Sequence, residues 1–145
     1  MPHMTNFAET GVLNHIFRSP SFPKPSTLAV ALTRAVPTDS QTGATIDEVP
    51  NSNGYARVNL GAPSDSLFSI PAQDGAGSGW ITNLSAISFP AATATWGWCS
   101  GISILDSATH GAGNAFYNGP LEEAQLIQNG TTFTIPSGSL RIFQH

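Results

Sequence analysis

Charged residues are scarce in this chain. Asp, Glu, Lys and Arg make up 10% of its 145 residues, whereas about a quarter of an ordinary soluble domain is charged. The five Lys and Arg residues lie scattered along the sequence, and the formal net charge is −4. Because neutralising phosphates requires clustered cations, the sequence predicts a protein that does not bind nucleic acid.

Cysteine and long apolar runs are equally sparse. The single cysteine, Cys99, excludes an intrachain disulfide and any metal motif built from cysteines, and we expect it to be a small buried residue. No run approaches the roughly 20 apolar residues that cross a bilayer, and residues 1–6 lack the basic and apolar parts of a secretion signal. We therefore expect no membrane partner.

Motifs for catalysis and metal binding are also missing. The acidic pairs Asp47-Glu48 and Glu122-Glu123 each join adjacent residues, which point to opposite sides of an extended chain, so both pairs are interpreted as solvated loop charges. The sequence contains no G-x-S-x-G motif. None of the histidines is spaced to place two metal ligands on one face: His3, His15, His110 and His145. We expect no catalytic residue, cofactor or metal, and an enzyme is the last of the alternatives.

Turn residues are abundant, by contrast, with 14 Gly and 11 Pro in the chain. Between them lie short runs rich in β-branched and aromatic residues, which predict strands at 27–33, 55–60, 67–70, 87–89, 97–105, 115–117, 125–127, 131–135 and 140–143. Strand 27–33 alternates as a half-buried strand does, and residues 36–53 are expected to form a long exposed loop. Many short strands predict an all-β fold, a jelly-roll-like β-sandwich.

Two turns predict hairpins. Asn129-Gly130 is a strong two-residue hairpin signal because both residue types tolerate positive φ, so it is expected to join strand 125–127 to strand 131–135. Ile135-Pro136-Ser137-Gly138 fits a type I turn, and the last two strands are expected to pair as well.

One short helix is predicted near the N-terminus. Asn6 is the expected N-cap with Glu9 as its capping-box partner, and Pro20 closes the segment. Four apolar residues share one face at helical spacing, so the helix is expected to lie on something apolar: Val12, Leu13, Ile16 and Phe17. The chain then divides into an N-terminal helix and arm (residues 1–25) and a β-sandwich domain (residues 26–145).

Trp96 and Trp98 are two residues apart and are expected to share a face of a strand. Together with Trp80 they are candidates for a platform on which sugars stack. The favoured interpretation is that they pack against the core or a neighbouring subunit, because tryptophan is a typical interface anchor.

Several phrases of the sequence, in order along nearly its whole length, resemble those of a known family: LNHIFR (13–18), TLAVALT (27–33), GYAR (54–57), ISFPAATATWG (87–97), AFYNGPL (115–121) and residues 130–140. They resemble small tailed-bacteriophage virion proteins, often labelled tail-fibre-like, some of which look like capsid cement or decoration proteins. Residues 104–108 match less well, because the family pattern has an aromatic residue just before Asp106. The family has no catalytic residues to carry over.

The resemblance implies a virion structural protein that is made in the host cytoplasm. For a capsid cement protein it implies a homotrimer that binds the major capsid protein on the outside of the shell. A tail or tail-fibre protein is the alternative, and a carbohydrate-binding module is the second alternative. We expect the apolar helix face and residues 36–53 to contribute to docking while the sandwich forms the trimer, with Trp96 and Trp98 as further interface residues. The competing interpretation is that the helix covers the open end of its own sandwich.

Overall fold

The computed structural model describes residues 2–144, so His145 lies outside the described residues. The elements are β1 (His3–Met4), α1 (Asn6–Phe17), β2 (Leu28–Thr33), β3 (Val58–Gly61), β4 (Ala72–Gln73), β5 (Gly79–Thr82), β6 (Ile87–Ser88), β7 (Gly97–Leu105), β8 (Ala115–Ile127), β9 (Thr134–Ile135) and β10 (Arg141–Gln144). They form an antiparallel five-stranded sheet in the order β1-β8-β7-β2-β3, a three-stranded sheet β10-β5-β4 and the pair β6-β9. The prediction of an all-β sandwich with one short N-terminal helix is confirmed. Nowhere in residues 2–144 is there a helix long and apolar enough to cross a membrane.

The central strands β2 and β7 are buried on both faces. Val30 and Leu32 of β2 belong to the main core, where they meet side chains of β6, β9 and β10 from the two smaller sheets. Ala31, on the opposite face of β2, packs in a second cluster with Ile46, Leu105 and Ala115. The alternation of residues 27–33 predicted a half-buried strand, and this is wrong because a loop covers the second face.

That covering loop is residues 36–53, which form no strand but are not an exposed loop either. Ile46, Glu48 and Val49 are buried, and Glu48 forms a single bridge with Thr33 of β2. The side-chain amide of Asn118 in β8 donates hydrogen bonds to the carbonyls of Thr38 (2.8 Å) and Gln41 (3.3 Å). The loop is therefore fixed onto the sheet by both apolar packing and hydrogen bonds.

Strand β8 is a single strand where the sequence predicted two, at 115–117 and 125–127. Gln125 pairs with Cys99 of β7 and Pro120 pairs with Gly101, so residues 121–124 together face Ser100 alone. A bulge of this kind accommodates Pro120 inside a strand, because the ladder is interrupted beside it.

Both hairpin predictions are wrong, although a turn forms near each predicted position. The second turn lies one residue later than predicted, at residues 136–139, where the Ser139 N–H donates to the Pro136 carbonyl at 3.1 Å. In the first turn the Thr131 N–H donates to the Gln128 carbonyl at 3.0 Å, and Gly130 has φ +85° while Asn129 keeps a negative φ. A type I′ hairpin requires positive φ at both central residues. The turn therefore directs the chain from β8 to β9, which pairs with β6, and β10 pairs with β5 rather than β9.

Two other predicted strands differ in detail. Residues 67–70 form no strand, and Phe68 makes a single bridge to Asn83. The strand predicted at 55–60 begins at Val58 instead, because Tyr55 and Arg57 are engaged in side-chain contacts with the covering loop.

Helix α1 is attached to the sandwich through its first half. Thr5, rather than Asn6, is the N-cap: its hydroxyl accepts from the Ala8 N–H at 3.3 Å and donates to the Ala115 carbonyl of β8. The rings of Phe7, Phe22 and Phe116 pack against one another with centroids 5.5–5.7 Å apart. Because β1 also pairs with β8, the N-terminal segment is tied to the sheet at several points, and the division of the chain at residue 25 stays a prediction.

Candidate protein interface

The second half of α1 exposes a group of apolar side chains, which we call the helix tip: Val12, Leu13, Ile16 and Phe17. Leu13 is 58% exposed, Ile16 62% and Phe17 77%, and Val12 is half-buried. The helix contacts the rest of the chain through Ala8, which is buried, and through the rings beside Phe7. At 3.6 residues per turn Leu13, Ile16 and Phe17 lie on the far side of the helix from Phe7 and Ala8. Val12, four residues after Ala8, lies at the border between the two sides.

The prediction that this helix face packs against an apolar surface is therefore wrong for contacts inside a single copy of the chain. In the competing interpretation the helix covers its own sandwich. The helix does pack on β8 through Phe7 and Ala8, but Leu13, Ile16 and Phe17 take no part in that contact. Exposed apolar side chains that lie together make this end of the helix a candidate interaction surface.

The two tryptophans around Gly97 point in opposite directions. Trp96 is 5% exposed, its indole N–H donates to the Asn53 carbonyl at 2.8 Å, and its ring meets the edge of Tyr55. Trp98 is 62% exposed and is paired across the strands with Leu126. Gly97, at φ +90°, interrupts the alternation of the strand, so the predicted shared face is wrong. Trp96 belongs to the core, and Trp98 remains a surface residue.

A buried ion pair, which the sequence reasoning missed, organises the covering loop. Arg57 donates to both carboxylate oxygens of Glu48 at 2.8 Å, and both side chains are almost fully buried. The third guanidinium nitrogen of Arg57, Nη1, donates to the carbonyls of Ser107 and Ala112 at 2.8 Å each. The prediction of solvated charges fails for Glu48 but describes its neighbour Asp47, which forms an exposed pair with Arg34 at 3.2 Å.

Tyr55 and His110 complete the surroundings of Glu48. The Tyr55 hydroxyl donates to Glu48 Oε2 at 2.6 Å and accepts from the Leu32 N–H at 3.1 Å. Burial, followed by the charge of Glu48, raises the pKa of Tyr55 well above its ordinary value. His110 Nε2 lies 2.9 Å from the Val49 carbonyl and 3.9 Å from Glu48.

These contacts point to a structural role for the group. The guanidinium and the carboxylate are each engaged by several partners from the chain itself, and burial removes both from solvent. Within residues 2–144 no group of three or more His, Cys, Asp or Glu side chains is placed to hold a metal ion. Cys99 is buried as predicted, and burial raises the pKa of its thiol to about 11.

The surface also carries two mostly apolar clefts. One, which we call the β8 cleft, has a volume of about 300 Å³ and is lined by the bulge of β8 and by residues 133–141. Glu122 and Glu123 lie at this cleft and are exposed, as expected for solvated charges. The other cleft, of about 360 Å³, lies between Leu28, Phe68, Trp80 and Tyr117. Neither contains an arrangement of nucleophile, base and acid.

A family model described as podophage GP4 fiber I protein gp80 matches residues 3–143. This chain belongs to the podophage fiber I protein gp80 family. The match covers the helix and nearly all of the sandwich, so the resemblance to small tailed-phage virion proteins is confirmed. A search of curated proteins finds no match. As a gp80 family member the chain is a structural protein of a phage virion.

Proposed function

We propose that this gp80 family member is a capsid cement (decoration) protein, a homotrimer that binds the major capsid protein on the outside of the shell without catalysing a reaction. The observation that carries the proposal is the helix tip, where Leu13, Ile16 and Phe17 are all more than half exposed on a helix that is anchored to a well-packed sandwich. Apolar side chains in this position gain free energy only by meeting another protein.

The covering loop supports the same proposal. Residues 36–53 are held on the five-stranded sheet by Asn118 and by the buried pair of Glu48 and Arg57, and Val36 stays 46% exposed. A surface that is already ordered loses little conformational entropy when it binds. Trp98, at 62% exposed, adds an aromatic side chain of the type that anchors interfaces.

Trimeric assembly explains how weak contacts could hold a shell together. Three linked copies bind neighbouring capsomers at high effective concentration, so modest individual affinities combine into firm attachment. Few charged residues are needed for such an interface, and 10% of this chain is charged.

A tail or tail-fibre role is the second candidate, and the family description as a fiber protein favours it. The carbohydrate-binding alternative is not carried forward, because Trp96 is buried in the core while Trp98 is exposed, so the two rings form no common platform.

Electron cryomicroscopy of virions bearing an antibody fragment against this chain tests the proposal. We expect fragment density in groups of three distributed over the shell. Fragment density confined to one vertex would contradict the cement role and assign the protein to the tail. Virions assembled without the protein provide the control, and they are expected to release DNA at a lower temperature than the wild type.

A further inference from the structure

The helix tip is followed by a cation, Arg18, that forms no ion pair within residues 2–144. Arg18 follows Phe17 directly, and its backbone N–H closes the helix by donating to the Asn14 carbonyl at 2.9 Å. Within residues 2–144 the ion pairs are those of Arg34 with Asp47 and of Glu48 with Arg57 and His110. The tip therefore presents apolar side chains beside an unpaired positive charge.

The β8 cleft presents the complementary surface. Its apolar lining includes Pro120, Leu121 and Phe133. Its charged lining consists of the carboxylates of Glu122 and Glu123 and the guanidinium of Arg141, so the cleft carries one net negative charge. Both carboxylates are exposed, and neither takes part in an ion pair in the described part of the chain. The bulge of β8, where residues 121–124 face Ser100 alone, carries both of them.

We propose that the helix tip of one copy binds in the β8 cleft of a second copy, with Arg18 facing Glu122 and Glu123. The tip and the cleft match in both apolar character and charge, and both occur on this chain. In a single copy they do not meet, since Leu13, Ile16 and Phe17 stay exposed. Opposite charges at an interface select the partner and fix its orientation.

The area of the tip is consistent with a contact that includes the cleft walls. A stable interface buries about 800 Å² on each partner, whereas even an aromatic side chain contributes only about 150–250 Å². One aromatic and three smaller aliphatic side chains, each partly covered by its own helix, therefore supply less than that area by themselves. The lining of the cleft and the rim charges supply the remainder.

A tip that binds a cleft is a heterologous contact, because the two surfaces differ. Such a contact closes into a ring when three copies are related by a three-fold axis, and it continues into a filament when the rotation does not close. The inference rests on the proposed self-association and names the surfaces that produce it.

Mixing two variants tests this contact directly. The tip variant is Ile16→Ser with Phe17→Ser, and the cleft variant is Glu122→Arg with Glu123→Arg. Each variant alone is expected to be a monomer by light scattering at concentrations where the wild type is a trimer, with self-association weakened more than about tenfold. An equimolar mixture is expected to form heterodimers, because the intact cleft of one variant accepts the intact tip of the other.

Two further variants sharpen the result. Ile70→Ser removes a side chain that is 90% exposed but lies outside both surfaces, and it is expected to leave the trimer unchanged. Arg18→Glu is expected to weaken self-association, and its combination with Glu122→Arg to restore it. Circular dichroism checks that every variant is folded.

Each unexpected experimental result would contradict a different part of the two proposals. A monomeric wild type would overturn both this inference and the proposed trimer. A wild-type trimer that persists in the tip and cleft variants, or a mixture that stays monomeric, would overturn the tip-to-cleft contact alone. The capsid location would be unaffected by either result, since virion imaging measures it independently.

Discussion

The side chain of Arg57 connects three parts of the chain that are distant in sequence. It donates to Glu48 through two nitrogens, to Gly43 at 3.3 Å, and to the carbonyls of Ser107 and Ala112. Bidentate geometry and additional acceptors satisfy a guanidinium that burial has removed from water. The pair therefore fixes the covering loop and the loop before β8 relative to β3.

Replacing Glu48 with Ala is expected to lower the free energy of unfolding by about 3–5 kcal/mol, because it leaves a buried guanidinium without its counter-ion. Urea denaturation followed by circular dichroism measures the loss. The control is Asp47→Ala, which removes the exposed pair with Arg34 and is expected to cost no more than about 1 kcal/mol. Equal losses for the two variants would contradict the structural role of Glu48.

The thiol of Cys99 is expected to be unreactive in the folded protein at pH 8. Burial raises its pKa to about 11 from the ordinary value of 9.0, so little thiolate is present, and the side chain is inaccessible. Ellman's reagent should react slowly with the native protein and rapidly in denaturant. As the pH rises, the thiol of the unfolded chain loses its proton before the buried thiol of the folded chain does. The contribution of Cys99 to the free energy of unfolding is therefore present below pH 9 and lost as the pH approaches 11. Rapid native labelling at pH 8 would refute the prediction.

Among the elements, α1 has apolar residues on two sides, and only one side packs on its own chain. The side with Phe7 and Ala8 contacts β8, whereas the helix tip faces outward. Helical spacing identified the larger apolar face but not its partner, because periodicity shows which residues share a face and not what lies opposite.

Thr5→Ala is expected to destabilise the protein by about 1–2 kcal/mol, because the N-cap oxygen and the bond to the Ala115 carbonyl are both lost. Hydrogen exchange should show faster exchange at the first turn of α1, with little change in the centre of β7. Thr5→Ser, which keeps the hydroxyl, is the matched control. Unchanged exchange in Thr5→Ala would show that the rings of Phe7, Phe22 and Phe116 suffice to hold the helix.

For the whole molecule, the main core is shared by all three sheets. Val30 and Ile102 of the five-stranded sheet, Ile142 of the three-stranded sheet and Ile87 of the β6-β9 pair pack in the same cluster. A single shared core means that no sheet can lose its packing without exposing apolar surface on the others. The sandwich is therefore expected to unfold as one cooperative unit.

Denaturant titration of the wild type should show coincident transitions by two probes. Far-UV circular dichroism reports the strands, and tryptophan fluorescence reports the environment of Trp96, which is buried beside Tyr55. Coincidence is the mark of two-state unfolding. A fluorescence transition that precedes the loss of circular dichroism would show that part of the core separates first. The variant Trp98→Phe removes the signal of the exposed indole and serves as the control.

Local sequence information was sufficient for the elements whose pattern is repeated over many residues. Residues 97–105 were predicted as a strand and form β7 with the same bounds, and the N-terminal helix was predicted from its apolar spacing and from Pro20. Thr5 was not predicted as the N-cap, because its neighbour Asn6 is an equally good capping residue. No signal in the sequence joined Glu48 to Arg57, since a buried ion pair depends on the separation of two side chains in space.

By itself the sequence determined the all-β class, the short helix, the burial of Cys99 and the kinship with phage virion proteins. These features depend on periodicity, turn residues and the order of residues, which can be read directly from the sequence. Only the tertiary structure decided which strands pair, why the two hairpins do not form, that residues 36–53 cover a sheet, and that Trp96 and Trp98 separate. It also decided that the helix tip faces outward. Those outcomes depend on long-range packing, in which a residue's environment is set by distant parts of the chain.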